Sequence, residues 1–480
     1  MKIAVIMGGI RFDSQKRILN GIIEKAKEDQ TDIYVFCCDA WSYSTTQFIT
    51  GEIEIYKLPD FTNYDGVIIH GDTIYQAEML ANIVQNVHDA EVPCVNLTLK
   101  AEGMPTLSME NDNGITLLID HLVEKHGAKN INFISGPEGN SDGEGRLNAY
   151  KRALEEHGMK VEDHRIYFGD YHPKSGMEAV EFFADFGLDM PDAIMAANDE
   201  MALGALYELE RRGYRIPEDI MITGYDNIYE AQNHAPRITS VQRPEEELGR
   251  KAYTYLMDEI AGRPKIGSEQ LLSWPVFAES CGCRCDTKED FAELRRKLAR
   301  ERIETITYTE IIKASSADFV GVGTQKDLFE KIRKYIAMLD PEEFYLCLGY
   351  NTNSINTDIM SQLNTEAGNM DLLMYPKEAT VPIAYRNGHF ETYGRFCVNE
   401  LLPEKYKVHD GGMLYTIVPI HYLERTYGYC VLGKSRLLID SSFFHLFIMN
   451  INNALESVRK QEVMNAMVER LNRMWVYDTL

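Results

Sequence analysis

The chain has 480 residues, 45% of them hydrophobic and 26% charged, proportions that exclude a disordered or fibrous protein and a single ordinary core. Its 49 Lys and Arg against 74 Asp and Glu leave a net charge of -25, which repels phosphate backbones and argues against direct nucleic-acid contact through the general surface. MKIAVIMGG carries no signal-peptide pattern, and no segment approaches the roughly 18 apolar residues that cross a bilayer, so a cytoplasmic location away from membranes, with nine free cysteines, is expected.

From Lys2 to about Glu279, short β-rich apolar runs alternate with amphipathic stretches, the pattern of a mostly parallel sheet covered by helices. IAVIMGG (3–9) reads as a buried strand and residues 15–29 as a helix; DIYVFCCD and YDGVIIHGD (64–72) follow as strands. PCVNL and NINFISG (130–136) continue the series, and a second set runs through DAIMAAND (192–199), a helix to Arg212 and DIMITGYDN (219–227). Two α/β halves of similar size predict two lobes. In such sheets ligands sit outside the carboxyl ends of the strands, which makes Asn198 and Asp226, ending AAND and GYDN, the leading contacts.

Residues 286–309 are rich in Lys, Arg and Glu, with apolar positions at helical spacing, and predict a connecting helix. Beyond it, FYLCLGY (344–350), LYTIVPIHY (414–422) and TYGYCVLG (426–433) predict strands of a smaller α+β domain over 310–440. Residues 441–480 contain no internal Pro or Gly from Ser442 to Tyr477 and predict one long helix. On it Met464, Val468, Leu471 and Trp475 are spaced four, three, four, a seam suited to parallel pairing of two copies.

The run PDAIMAANDEMALGALYELERRGYRIPEDIMITGYDN (191–227), with GRLNAYKRALEEHG (145–158) before it and TSVQRPEEELGRKAYTYLMDEIAG (239–262) after it, resembles the effector-binding core of the lactose/galactose repressor family. Over residues 1–285 the resemblance implies a two-lobed type I periplasmic-binding-protein-like fold with a small ligand between the lobes. It implies that Arg146 is the effector-binding arginine, Tyr171 the pocket aromatic and Asn113 a polar contact. Carboxylates, amides and a guanidinium fork suit a sugar or similar polar metabolite. Phe12, Asp13, His70 and Asp72 end strands of the first lobe and are candidates for the opposite wall, and Trp41 is a candidate stacking ring. The same residues also cap helices and shape turns in proteins that bind nothing.

The family's DNA-binding helix-turn-helix is not seen ahead of the first strand, so a repressor role is not expected. Cys281, Cys283 and Cys285 in ESCGCRC have an affinity for soft metals, but no second Cys or His pair stands at ligand spacing in the sequence, and the expectation is no metal and no cofactor. No catalytic signature is present. Residues 310–440 are similar to GAF-type sensor domains through YTIVPIHYLERTYGYCVLGKS, and RMWVYDTL resembles the entry to a GGDEF domain. The expectation is therefore a homodimeric small-molecule sensor that regulates a GGDEF diguanylate cyclase and hence cyclic di-GMP. The alternatives are a ligand-binding or transcription-regulator-like module without catalytic output, and a histidine-kinase sensor region.

Overall fold

The computed structural model describes residues 1–40, 44–74, 76–98, 104–185, 190–263, 268–284, 291–349, 375–409, 411–440 and 442–477. The chain divides into two units, one of Met1–Thr106, Gly249–Ser268 and Asp290–Leu480, the other of Leu107–Leu248 and Glu269–Glu289. The architecture is mixed α/β, as expected. Among the described residues no helix is long and apolar enough to cross a membrane.

The first unit begins with strands β1 (Lys2–Gly8), β2 (Asp32–Cys38), β3 (Gly66–His70) and β4 (Cys94–Leu97). They are parallel, with Ile3 level with Ile33 on one side and Gly66 on the other. Their continuous Val, Ile and Phe content fits strands buried on both faces. The helix Asp13–Glu28 returns over them by burying Ile18, Leu19, Ile22, Ile23 and Ala26. Each of the large aliphatics contributes about 1.5–3 kcal/mol on leaving water. Gly249 lets another helix approach that surface, since a Cβ there would lie 2.0 Å from the carbonyl of Ile18.

The second unit contains strands β5 (Thr106–Met109), β6 (Ile131–Ser135), β7 (Ile166–Phe168), β8 (Ala193–Ala196), β9 (Met221–Thr223), β10 (Ser240–Gln242), β11 (Glu269–Leu271) and β12 (Trp274–Val276). Four of them form a parallel sheet in the order β7-β6-β8-β9. The core around Phe133, Tyr150, Ile194, Leu206 and Ile222 is fully buried. The helices Pro173–Asp185 and Asp199–Arg211 meet backbone to backbone at two glycines: a Cβ on Gly204 would lie 1.9 Å from the carbonyl of Pro173, and one on Gly176 2.1 Å from that of Met201.

The remaining strands, β13 (Glu343–Gly349), β14 (Glu378–Arg386), β15 (His389–Cys397), β16 (Leu414–Tyr422) and β17 (Arg425–Gly433), return to the first unit. β16 pairs in parallel with β2, placing Tyr415 beside Tyr34 with their rings stacked at 4.8 Å. Residues 310–440 thus follow the expected connector in sequence yet extend the N-terminal sheet, in the order β4-β3-β1-β2-β16-β17-β13-β14-β15, and share one core with it. The hairpin β16–β17 is the predicted one. Of the predicted connector 286–309, residues 286–290 lie outside the described residues; helix Phe291–Phe319 covers the rest and runs past it. The long helix Ser442–Tyr477 buries Phe444, Phe447, Ile451, Ala454, Leu455 and Val458 inside the unit, whereas Met464, Val468 and Leu471 are exposed. The side chain of Trp475 lies outside the described residues.

Candidate functional site

The carboxyl ends of the four parallel strands in the second unit converge on a cluster of charge. The helix Ser141–Glu156 follows β6 and starts at Asn140, whose side chain accepts from the Gly143 amide. Asp142 and Arg146 lie one turn apart on it. Arg146 is only 2% exposed. Its Nη1 donates to the carbonyl of Ala197 at 2.5 Å, and its guanidinium lies 3.9 Å from the centre of the Tyr225 ring. Asp226, beyond β9, is held in a left-handed conformation at φ 97°, with its amide bonded to the Val241 carbonyl. A left-handed non-glycine residue at a strand end is a costly conformation that the surrounding structure must impose.

Two arginines face two aspartates in this cluster. Asp226 Oδ1 lies 3.7 Å from Arg146 and 3.6 Å from Arg243, and Asp142 Oδ2 lies 3.6 Å and 3.7 Å from the same two guanidinium groups. These separations fall within ion-pair range but exceed a direct hydrogen bond. Burial works against the charge of Arg146, yet Asp226, Tyr225 and Asp142 outweigh it and leave the guanidinium pKa raised. Among the described residues, the buried Nε donors of both Arg146 and Arg243 have no hydrogen-bond partner. Asn111 joins the rim, donating from Nδ2 to Asp142 at 2.9 Å.

Of the predicted contacts, the structure thus brings Asp226 and Arg146 together. Asn198 is committed to holding the fold: its Oδ1 caps the helix Asp199–Arg211 through the Met201 amide, and its Nδ2 donates to the Tyr171 carbonyl. Neighbouring Asp199, fully buried, accepts from Ser240 and from the Ile228 amide, and so braces the loop that carries Asp226. The Tyr171 hydroxyl donates to Asn140 at 2.9 Å, and burial pushes that phenol up to about 12. Asn113 donates to the Ser273 carbonyl rather than into the cluster.

In the first unit, Phe12 is 38% exposed beneath the Arg11 guanidinium, Asp13 opens a helix, and buried His70 pairs with Asp72 at 3.1 Å. Trp41 lies outside the described residues. Sequence reasoning missed Asp142, Arg243 and Asn111. Asp142 stands four residues before Arg146, on the same helix face, and Arg243 follows β10 directly, at another strand end where polar groups were already being sought.

Residues 119–281 match the family described as a periplasmic binding protein-like domain. The repressors named HTH-type transcriptional repressor PurR from Salmonella arizonae and from Proteus mirabilis are each 36% identical over 143 residues, which is 30% of this chain and 41% of theirs. The chain therefore spans under half the length of these curated relatives. Two solved structures also align over 58% of the chain: a transcriptional regulator CelR-cellobiose complex, 26% identical over 84% of its length with a TM-score of 0.48, and a lac repressor dimer bound to operator and an anti-inducer, 20% identical over 93% with a TM-score of 0.49.

These findings correct two expectations. The curated relatives are transcriptional repressors, so the regulator of a GGDEF diguanylate cyclase, with GAF-type signalling and cyclic di-GMP output, gives way to the transcription-regulator-like alternative. The expected absence of direct nucleic-acid contact is overturned with it, since these relatives are named as helix-turn-helix-type transcriptional repressors. General surface charge, the basis of that expectation, says nothing about DNA read through a separate motif. Residues 119–281 are thus similar to periplasmic-binding-protein-like domains, and the curated relatives of the chain are repressors by name.

Proposed function

We propose that this chain is a ligand-responsive, transcription-regulator-like module whose second unit takes a small polar metabolite on Asp226, Arg146, Arg243 and Asp142. The carrying observation is the pair of buried guanidinium groups whose Nε donors lack partners among the described residues while their ion pairs stand at 3.6–3.7 Å. Buried donors without partners cost about 1–3 kcal/mol each, a cost that a ligand oxygen would relieve. Carboxylate acceptors alternating with guanidinium donors match vicinal hydroxyls, which both donate and accept, so a sugar or sugar-like ligand fits best. Relatives that are repressors by name support regulation of transcription as the output. In this reading the two lobes are the receptor, and two copies pair through the exposed seam of the long helix.

A thermal-shift screen of sugars, nucleosides and amino acids on the purified chain should return a stabilising compound. Asp226→Ala should weaken that compound by roughly ten- to a hundredfold, the equivalent of about 1–3 kcal/mol. Unchanged affinity in the variant would move the site away from this cluster.

A further inference from the structure

A second constellation lies at the opposite end of the same sheet. His121 and His126 precede β6, at its amino end, whereas the charge cluster gathers at its carboxyl end. The ring nitrogens of these two histidines and the sulfurs of Cys281 and Cys283 all lie within 4.8 Å of one another. The Nε2 atoms of the histidines are 3.1 Å apart; His121 Nε2 lies 3.6 Å from Cys281 Sγ and 3.3 Å from Cys283 Sγ, and His126 Nε2 lies 3.6 Å from Cys283 Sγ. A tetrahedral ion with bonds of about 2.0–2.1 Å to nitrogen and about 2.3 Å to sulfur has ligand-to-ligand edges of about 3.3–3.8 Å. Three of the four separations, 3.3–3.6 Å, fall in that range, the two imidazole nitrogens at 3.1 Å stand slightly closer, and the whole group stays within 4.8 Å.

The backbone is shaped to produce this grouping. In an α-helix, residues five apart point about 140° away from each other. Here His121–Lys125 is a π-helical turn, which widens the helix by one residue and brings positions 121 and 126 onto one face. Opposite them, a 3₁₀ turn ends at Cys281 and Gly282 takes a left-handed φ of 89°, which reverses the chain so that Cys283 returns to the side of Cys281. The Phe277 ring stacks on His121 at 3.7 Å and fixes the plane of its imidazole. Lys125 Nζ lies 3.3 Å from Cys283 Sγ at the edge of the group.

We infer that His121, His126, Cys281 and Cys283 form a tetrahedral zinc site that ties segment 281–283 to the π-turn 160 residues earlier in the chain. Two sulfurs and two imidazoles are a donor set that selects zinc among the available divalent ions. Four protein ligands complete the coordination and leave no open position for substrate, so the site is structural and separate from the ligand cluster. It fastens the last segment of the second unit to the helix end that leads into β6.

The test uses the untagged full chain, stripped with a chelator and reloaded with zinc or cobalt(II). Elemental analysis should give one zinc per chain, and cobalt should give the visible bands of a tetrahedral ion with a near-ultraviolet thiolate charge-transfer band. Cys283→Ser and His126→Gln, at partly exposed positions that tolerate change better than buried Cys281, should each lose tight zinc retention and alter the cobalt spectrum. Chelator should lower the melting temperature of the parent chain but not of these variants. Absence of bound metal in the folded parent, iron in place of zinc, or retention and spectra unchanged in both variants would overturn the assignment.

Discussion

Replacing Arg146 with Met keeps most of the side-chain volume and removes the charge, and its effect can be worked out from the cluster. The variant strands the carbonyl of Ala197, removes the cation over Tyr225, and leaves Asp142 and Asp226 sharing the remaining guanidinium of Arg243. Breaking a buried ion pair from one side costs about 3–5 kcal/mol. Asp142 and Asp226 retain 36% and 23% side-chain exposure, so solvent screens part of that penalty and about 2–3 kcal/mol remains. Urea unfolding followed by circular dichroism should show the midpoint of the affected transition falling with little change in slope. Hydrogen exchange across residues 146–158 and 193–206 would localise the loss. Because the two residues share one interaction, the double variant Arg146→Met, Asp226→Asn should be less destabilised than the sum of the single changes. An unchanged midpoint, or strict additivity, would refute this account of the cluster.

Two further outcomes are expected, both in the first unit. Burial opposes ionisation of Glu456, but hydrogen bonds from Arg459 and Tyr427 outweigh it and hold the carboxyl down at about 2, against an ordinary 4.5. A depressed folded-state value means the stabilisation is complete above the ordinary value and is lost as pH falls from about 4.5 towards about 2; Glu456→Gln should flatten acid unfolding across that window. Leu471, 63% exposed beside Met464 and Val468, should lie between two copies, so Leu471→Glu should weaken a dimer seen by sedimentation while the melting of the folded units stays the same; a parent chain that is monomeric at micromolar concentration removes this helix as the pairing element.

The parallel strands were legible because residues buried on both faces must be apolar throughout, as in IAVIMGG and DAIMAA. Motif resemblance and strand-end position singled out Arg146 and Asp226, which the structure places 3.7 Å apart. What sequence order could not show were pairings between distant segments. Nothing local in LYTIVPIHY says that it will add to the edge of DIYVFCC, because β-strand content specifies a surface and not a partner. Likewise ESCGCRC lacked a second ligand pair at short spacing, and the histidines that meet its sulfurs come from a π-turn that no helical periodicity predicts. At Asn198 the strand-end position suggested a ligand contact but not the second role the structure shows, in which its oxygen caps the helix that follows.

The central claim is that the buried arginine and aspartate cluster is a ligand site, and the most direct measurement is a crystal structure of the chain with the compound that most raises its melting temperature. The account predicts ligand oxygens within hydrogen-bond distance of Asp226 and of at least one of Arg146 and Arg243. A ligand bound elsewhere, with the four charged groups still 3.6–3.7 Å apart and untouched, would contradict it.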